Sequence, residues 1–157
     1  KLTKRLTGKK AVYISSQDFF NLKSFVFKKE KKAFSVLNAA DCNAVYGDAF
    51  AYNGSRIEKI GNNVLLEFDD MDFGDEGTDA MTICGSSPLE KSHIQIRFTH
   101  DGETNVQMVE FAGCKEYTEQ TVPLDKVTGR CKVEFIFLPG SNFNLSWFRF
   151  HKRESKR

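Results

Sequence analysis

The chain has 157 residues, 40% of them apolar and 28% charged, and a formal net charge of +2. That length is enough for one domain with a real core, and the apolar content excludes a disordered chain. The charge is too small to argue for a nucleic-acid partner. No run approaches the ~20 consecutive apolar residues of a membrane-spanning helix, and no stretch reads as a signal peptide.

In chain order, the first feature is basic. Lysine and arginine concentrate in residues 1–10, 28–32 and 151–157, and without these ends the body is acidic. Such runs read as solvated linkers and tails. Inside the first third, Phe20-Asn21-Leu22-Lys23-Ser24-Phe25-Val26-Phe27 lines up with Phe143-Asn144-Leu145-Ser146-Trp147-Phe148-Arg149-Phe150, with five of eight positions identical. Leu6-Thr7-Gly8 echoes Val127-Thr128-Gly129, Val12 falls where Val133 does, and a lysine-bearing segment follows both copies. This is an internal repeat. It divides the chain into residues 1–32, the last strands of a preceding homologous module plus a basic linker, residues 33–151, one complete module, and residues 152–157, a basic tail. Because the chain opens on Lys1, it is expected to be a piece excised from a longer protein, which leaves its compartment, cytoplasmic or secreted, open.

From residue 63 onward, strand patterns dominate. Apolar runs fall at 63–68, 81–84, 105–111, 132–138 and 145–150, and residues 93–98 alternate strictly, with Ile94, Ile96 and Phe98 on one face. Turn chemistry separates them: Gly61-Asn62-Asn63, Gly74-Asp75-Glu76-Gly77, Gly85-Ser86-Ser87-Pro88, Asp101-Gly102, Thr128-Gly129 and Pro139-Gly140-Ser141-Asn142. No window carries a helical stripe. The expected fold is all-β, an antiparallel β-sandwich.

Catalytic chemistry is sparse. His93 sits on a polar strand face, His100 at a hairpin turn and His151 in the basic tail, and no Ser-His-Asp or Cys-His spacing is evident. Cys42, Cys84, Cys114 and Cys131 form no C-x-x-C pair, so a zinc site is not indicated. Cys84 and Cys131 read as buried free thiols, which lean slightly to a reducing, cytoplasmic compartment, and Cys114 reads as a half-buried bystander. The acidic cluster Asp69, Asp70, Asp72, Asp75, Glu76 and Asp79 reads first as a solvated loop. Calcium binding and paired-carboxylate hydrolysis are its other readings.

Residues 33–151 resemble a family 6 carbohydrate-binding module, of the galactose-binding-like jelly-roll group. The likeness lies in Ala39-Ala40-Asp41-Cys42 with Tyr46-Gly47, in Val64-Leu65-Leu66-Glu67-Phe68 with Met71-Asp72-Phe73-Gly74, in Phe111-Ala112-Gly113-Cys114 with Thr121-Val122-Pro123-Leu124, and in the closing segment from Pro139 to Phe150. Details of Ile60-Gly61-Asn62-Asn63-Val64 and Leu138-Pro139-Gly140-Ser141 also resemble modules at the C-terminus of family 2 β-galactosidases in gut bacteria.

The resemblance implies a jelly roll that is not itself an enzyme. It implies a carbohydrate partner, galactose-containing glycans first, and catalytic and sister modules in the same chain, with no nucleic-acid or membrane partner. The sugar is expected in loops at one end of the sandwich. There an aromatic ring covers its apolar face and an amide satisfies its hydroxyls. By that mapping the loop amide is Asn144, with Asn142 adjacent, and Tyr117 and Tyr52 are the aromatic candidates. Trp147 maps to a buried core position. The chain departs from the family at the middle-loop stacking position, which is Cys114, and at a second platform position near Glu58 and Lys59. The family's structural calcium would fall at Asn38, Ala40 and Ser146, with Asp41 beside them as the one carboxylate. The alternative role is a structural spacer that packs on a catalytic domain or pairs modules.

Overall fold

The structure is a computed structural model that describes residue 13, residues 15–24 and residues 31–153. Its strands are β1 (Leu37–Asn38), β2 (Ala44–Tyr46), β3 (Ala51–Asn53), β4 (Arg56–Ile60), β5 (Val64–Asp72), β6 (Thr78–His100), β7 (Glu103–Val127), β8 (Arg130–Phe137) and β9 (Phe143–Lys152). Short 3-10 turns at Lys32–Phe34 and Ala39–Asp41 flank β1. All pairings are antiparallel.

The long β6 builds two layers from one hydrogen-bonded ladder. Its second half, from Ile94 to Thr99, pairs with β8, while its first half, from Thr78 to Ser86, pairs with β9. One layer therefore runs β2-β5-β8-β6, and the other runs β6-β9-β4-β3 with β1 beside β9. β7 follows β6 through both halves. Its edge position in the second layer tolerates Pro123 within a strand. Asp101 and Gly102 close the β6–β7 hairpin with φ of 48° and 84°, the left-handed pair that an Asp-Gly turn provides.

The run Gly85-Ser86-Ser87-Pro88 is not the turn its composition suggests. It lies inside β6, where bulges between Gly85 and Lys91 carry the strand from one layer to the other. Backbone proximity explains the glycine: a Cβ on Gly85 would sit 2.5 Å from the Phe143 ring and 2.8 Å from the Asn144 carbonyl oxygen.

The core between the layers is phenylalanine-rich. Phe68 of β5 and Phe135 of β8 meet Phe148 of β9 at ring-centroid distances of 4.7 and 4.5 Å. Phe73 meets Phe150 at 5.0 Å, and Phe111 meets Phe143 at 5.0 Å. Most of these pairs are edge-on, the orientation the ring quadrupole favours. Each buried ring contributes roughly 2–3 kcal/mol from the area withdrawn from water.

Trp147 differs from its expected place. It is half-buried and stands outside the core. Leu145, Trp147, Phe148 and Phe150 are all apolar, and a regular strand of period two cannot turn all four to one side. The register resolves the conflict with a bulge. Leu145 pairs with Gly85 and Trp147 with the next residue, Cys84, so Ser146 is the extra residue and the phase flips. Leu145, Phe148 and Phe150 face inward and Trp147 faces out.

The expected buried thiols are in place: Cys84 and Cys131 are buried, and all four cysteines are free. Of the segment expected to belong to a preceding module, residues 1–12, 14 and 25–27 lie outside the described residues, and residues 15–24 are exposed and in no strand. Within the basic linker, Lys31 pairs with Asp72 at 3.3 Å and Lys32 donates to the Asp69 carbonyl at 2.7 Å, so these two lysines grip β5. Residues 28–30 lie outside the described residues.

Candidate functional site

At one end of the sandwich, the β8–β9 loop, the β4–β5 turn and the layer crossing of β6 converge. The Gly140 N–H donates to Asn62 Oδ1 at 2.6 Å, Ser87 Oγ donates to the Asn142 carbonyl at 2.8 Å, and Ser92 Oγ donates to Ser87 Oγ at 2.8 Å. These bonds fix the loop that carries Asn142, whose side chain is exposed.

Two residues further on, Asn144 holds the site's floor. Its Oδ1 accepts the Lys59 N–H at 2.8 Å and its Nδ2 donates to Ser86 Oγ at 3.0 Å. Lys59 has a φ of 54°, and the ladder between β4 and β9 is irregular there, so Asn144 satisfies a backbone donor that the bulge would otherwise orphan. The bulge also sets the direction of Glu58. Its carboxylate accepts the Tyr117 phenol at 2.7 Å through Oε1 and the Asn53 amide at 3.1 Å through Oε2. Arg56, two residues earlier on the same face of β4, places its guanidinium 4.4 Å from the centre of the Tyr117 ring.

The electrostatics follow from these contacts. Hydrogen bonds from Tyr117 and then Asn53 hold the Glu58 carboxyl below the usual range. Burial, and then the bond to Glu58, push the Tyr117 phenol up to about 12. Tyr117 is thus a fixed donor and Glu58 a fixed anion across the physiological range. Arg56 keeps free donors, Glu58 keeps unused lone pairs, and Asn144 retains one N–H and one lone pair. Such a corner, with an aromatic ring among donors and acceptors, suits a polyhydroxylated ligand.

Asn144 holds the Lys59 N–H and Tyr117 holds the adjacent Glu58 carboxylate, so both candidates touch the same stretch of β4, and Asn142 lies two residues before Asn144 on the β8–β9 loop. The structure does not bring Tyr52 to them. Tyr52 pairs with the inward-facing Ile57, so it points to the opposite side of β3 from Asn53, where its ring stands 5.7 Å from Phe50. Burial, followed by the neighbouring Cys42 thiol, raises the Tyr52 phenol. The sequence reading missed the parts played by Arg56 and Glu58. The alternation Arg56-Ile57-Glu58 was the available signal, since it puts both charges on the face opposite a core isoleucine.

Asp41 has another occupation. Its Oδ2 accepts from the Asn38 N–H at 3.2 Å and from Asn38 Nδ2 at 3.0 Å, which closes a capping box on the turn Ala39–Asp41. Calcium requires six to eight oxygens. The residues here offer one carboxylate already engaged, so this donor set does not fit the ion. Among the described residues no group of three or more His, Cys, Asp or Glu side chains could hold a metal. The acidic loop at the other end of the sandwich is matched by cations: Asp70 with Arg130 at 2.9 Å, Asp72 with Lys31, Glu76 with Lys152, and Asp79 with Arg153 at 3.3 Å.

No triad assembles among the described residues. Thr82 Oγ1 lies 2.7 Å from His151 Nε2 and 2.8 Å from Thr121 Oγ1, but no carboxylate bonds the imidazole's other nitrogen. His93 lies 3.5 Å from Glu110, and His100 bonds the Arg130 carbonyl at 2.7 Å.

The fold is a jelly-roll sandwich with a polar, aromatic corner at its loop end. The family model for carbohydrate binding module (family 6) matches residues 38–152, and the chain belongs to that family of non-catalytic modules. Solved structures agree on the fold. The module CsCBM6-3 from Clostridium stercorarium, in complex with cellobiose, superposes with a TM-score of 0.65 at 22% identity, over 76% of this chain and 95% of that one. A family 6 module from Clostridium cellulolyticum, in complex with xylose, gives 0.64 at 24% identity, over 76% and 98%. A family 43 arabinoxylan arabinofuranohydrolase from Bacillus subtilis, in complex with cellotetraose, gives 0.62 at 18% identity, over 77% of this chain and 28% of the enzyme. No curated protein matches the chain.

Proposed function

We propose that this module binds carbohydrate at the corner formed by Tyr117, Glu58, Arg56 and Asn144, with Asn142 at its rim, and so holds a glycoside hydrolase on its glycan. The observation that carries this reading is the Glu58 carboxylate, kept ionised between Tyr117 and Asn53 and accessible beside Arg56. Vicinal sugar hydroxyls donate to such a carboxylate and accept from such a guanidinium. β-Galactoside glycans are the proposed ligand class, on the resemblance of the Ile60–Val64 and Leu138–Ser141 segments to modules of family 2 β-galactosidases. Structural relatives solved with cellobiose and xylose make those sugars the comparison set.

One observation favours a second reading, a spacer that packs on a catalytic domain. The Arg56 guanidinium covers a face of Tyr117 on which a sugar would stack, and the neighbouring family stacking position is Cys114. Isothermal titration calorimetry with galactose, lactose, N-acetyllactosamine, cellobiose and xylose separates the two. Binding at millimolar concentration or tighter, weakened roughly tenfold by Glu58→Gln, a loss of about 1.4 kcal/mol in binding, supports the sugar site. No heat with any sugar, and no effect of Asn144→Ala or Glu58→Gln, supports the spacer.

A further inference from the structure

The apolar positions of β9 have an irregular spacing with a visible cause. Phe143 and Leu145 face the core, Ser146 and Trp147 intervene, and Phe148 and Phe150 face the core again, all four being 1% exposed or less. The double step in the middle requires the bulge at Ser146. Residues 20–27 repeat that spacing, slip included. The identities are also sorted by role. Phe20, Leu22, Phe25 and Phe27 match the four core positions, and Asn21 matches Asn144, which ties β4 through the Lys59 N–H. The three differences, Lys23, Ser24 and Val26, fall where β9 has the bulged Ser146 and the outward-facing Trp147 and Arg149. A chance likeness between two Phe-rich segments would not separate core from surface in this way.

This module has no place for the copy. The slot between β6 on one side and β4 with β1 on the other is filled by β9 itself. Phe20 and Leu22 are 53% and 51% exposed, and Phe19 is fully exposed. The described part of the segment, residues 20–24, lies in solvent although its pattern specifies burial on one strand face, so that part lacks the partner its pattern requires.

We propose that residues 20–27 are the closing strand of a second sandwich of this fold, whose other strands lie on the N-terminal side in the same polypeptide. Asn21 there ties a β4 equivalent as Asn144 does here. The proposal rests on the fold and the repeat, and is independent of sugar binding.

Three measurements test it. Ser146→Lys, Trp147→Ser and Arg149→Val together write the 20–27 sequence into β9. The triple variant is expected to keep one cooperative unfolding transition by circular dichroism, and its loss would overturn the proposal. Phe20→Ala with Leu22→Ala, in the chain as it stands, is expected to leave the denaturation midpoint unchanged. A fall comparable to that of Phe143→Ala would assign the segment to this core instead. In the parent polypeptide the same double substitution is expected to lower one of two transitions, that of the N-terminal unit. A single transition, or a shift in the unit of residues 33–151, would contradict it.

Discussion

Tyr117 and Glu58 form a pair in which each fixes the protonation state of the other. The phenol, raised from 10.0 to about 12 by burial and by Glu58, is stabilised in its protonated form by the folded state. That contribution is fully present below the unfolded value of about 10 and is lost as the pH rises through the folded one. Urea midpoints measured between pH 9 and 12 should therefore fall more steeply for the wild-type chain than for Tyr117→Phe. Parallel curves would remove Tyr117 from the account. The Glu58 carboxyl is shifted the other way, below its ordinary value of 4.5, by Tyr117 and then Asn53. Any affinity that depends on its charge should persist as the pH falls through 4.5 and disappear only in stronger acid, which titration calorimetry on a pH series will show. The resemblance to the family names Asn144 and Tyr117, and the structure places Asn144 on the Lys59 N–H and Tyr117 on the adjacent Glu58. The sequence could not show that Arg56 and Glu58 reach Tyr117, since β4 and β7 share no ladder and meet only by side chains in the folded sheet.

The bulge in β9 decides which side chains of that element are core. The family resemblance puts Trp147 inward, in phase with Leu145, whereas the phase of Phe148 and Phe150 gives the opposite answer. Only the ladder with β6 shows where the slip occurs. The consequence is measurable, because Trp147 is the sole tryptophan. Its fluorescence should be accessible to acrylamide. Trp147→Ala should cost less than about 2 kcal/mol, whereas Phe148→Ala, which empties the centre of the phenylalanine core, should cost about 3–5 kcal/mol in urea denaturation. The crossing segment of β6 is equally strict. Gly85→Ala would drive a methyl group into Phe143 and the Asn144 carbonyl, at an expected cost of about 1–3 kcal/mol. That glycine read as a turn signal because composition alone does not distinguish a loop from a strand bent between two sheets. The paired strands on either side do.

For the whole molecule, the sandwich was legible because period-two alternation and turn residues recur along the chain. The length of β6 and β7 was not, since bulges interrupt the alternation that marks a strand. Stability comes chiefly from the interlayer phenylalanines, the exposed ion pairs of the acidic loop adding little, and Asp41 is engaged in a capping box and not arranged for a metal. Chelation by EDTA should accordingly leave the melting temperature unchanged, and calcium should not raise it. The central claim concerns the corner around Glu58. It is tested most directly by calorimetric titration of the chain and of its Glu58→Gln variant with lactose and N-acetyllactosamine. The account predicts saturable binding to the wild-type chain that weakens roughly tenfold, about 1.4 kcal/mol, in the variant. Equal binding by both chains, or none by either, would contradict it.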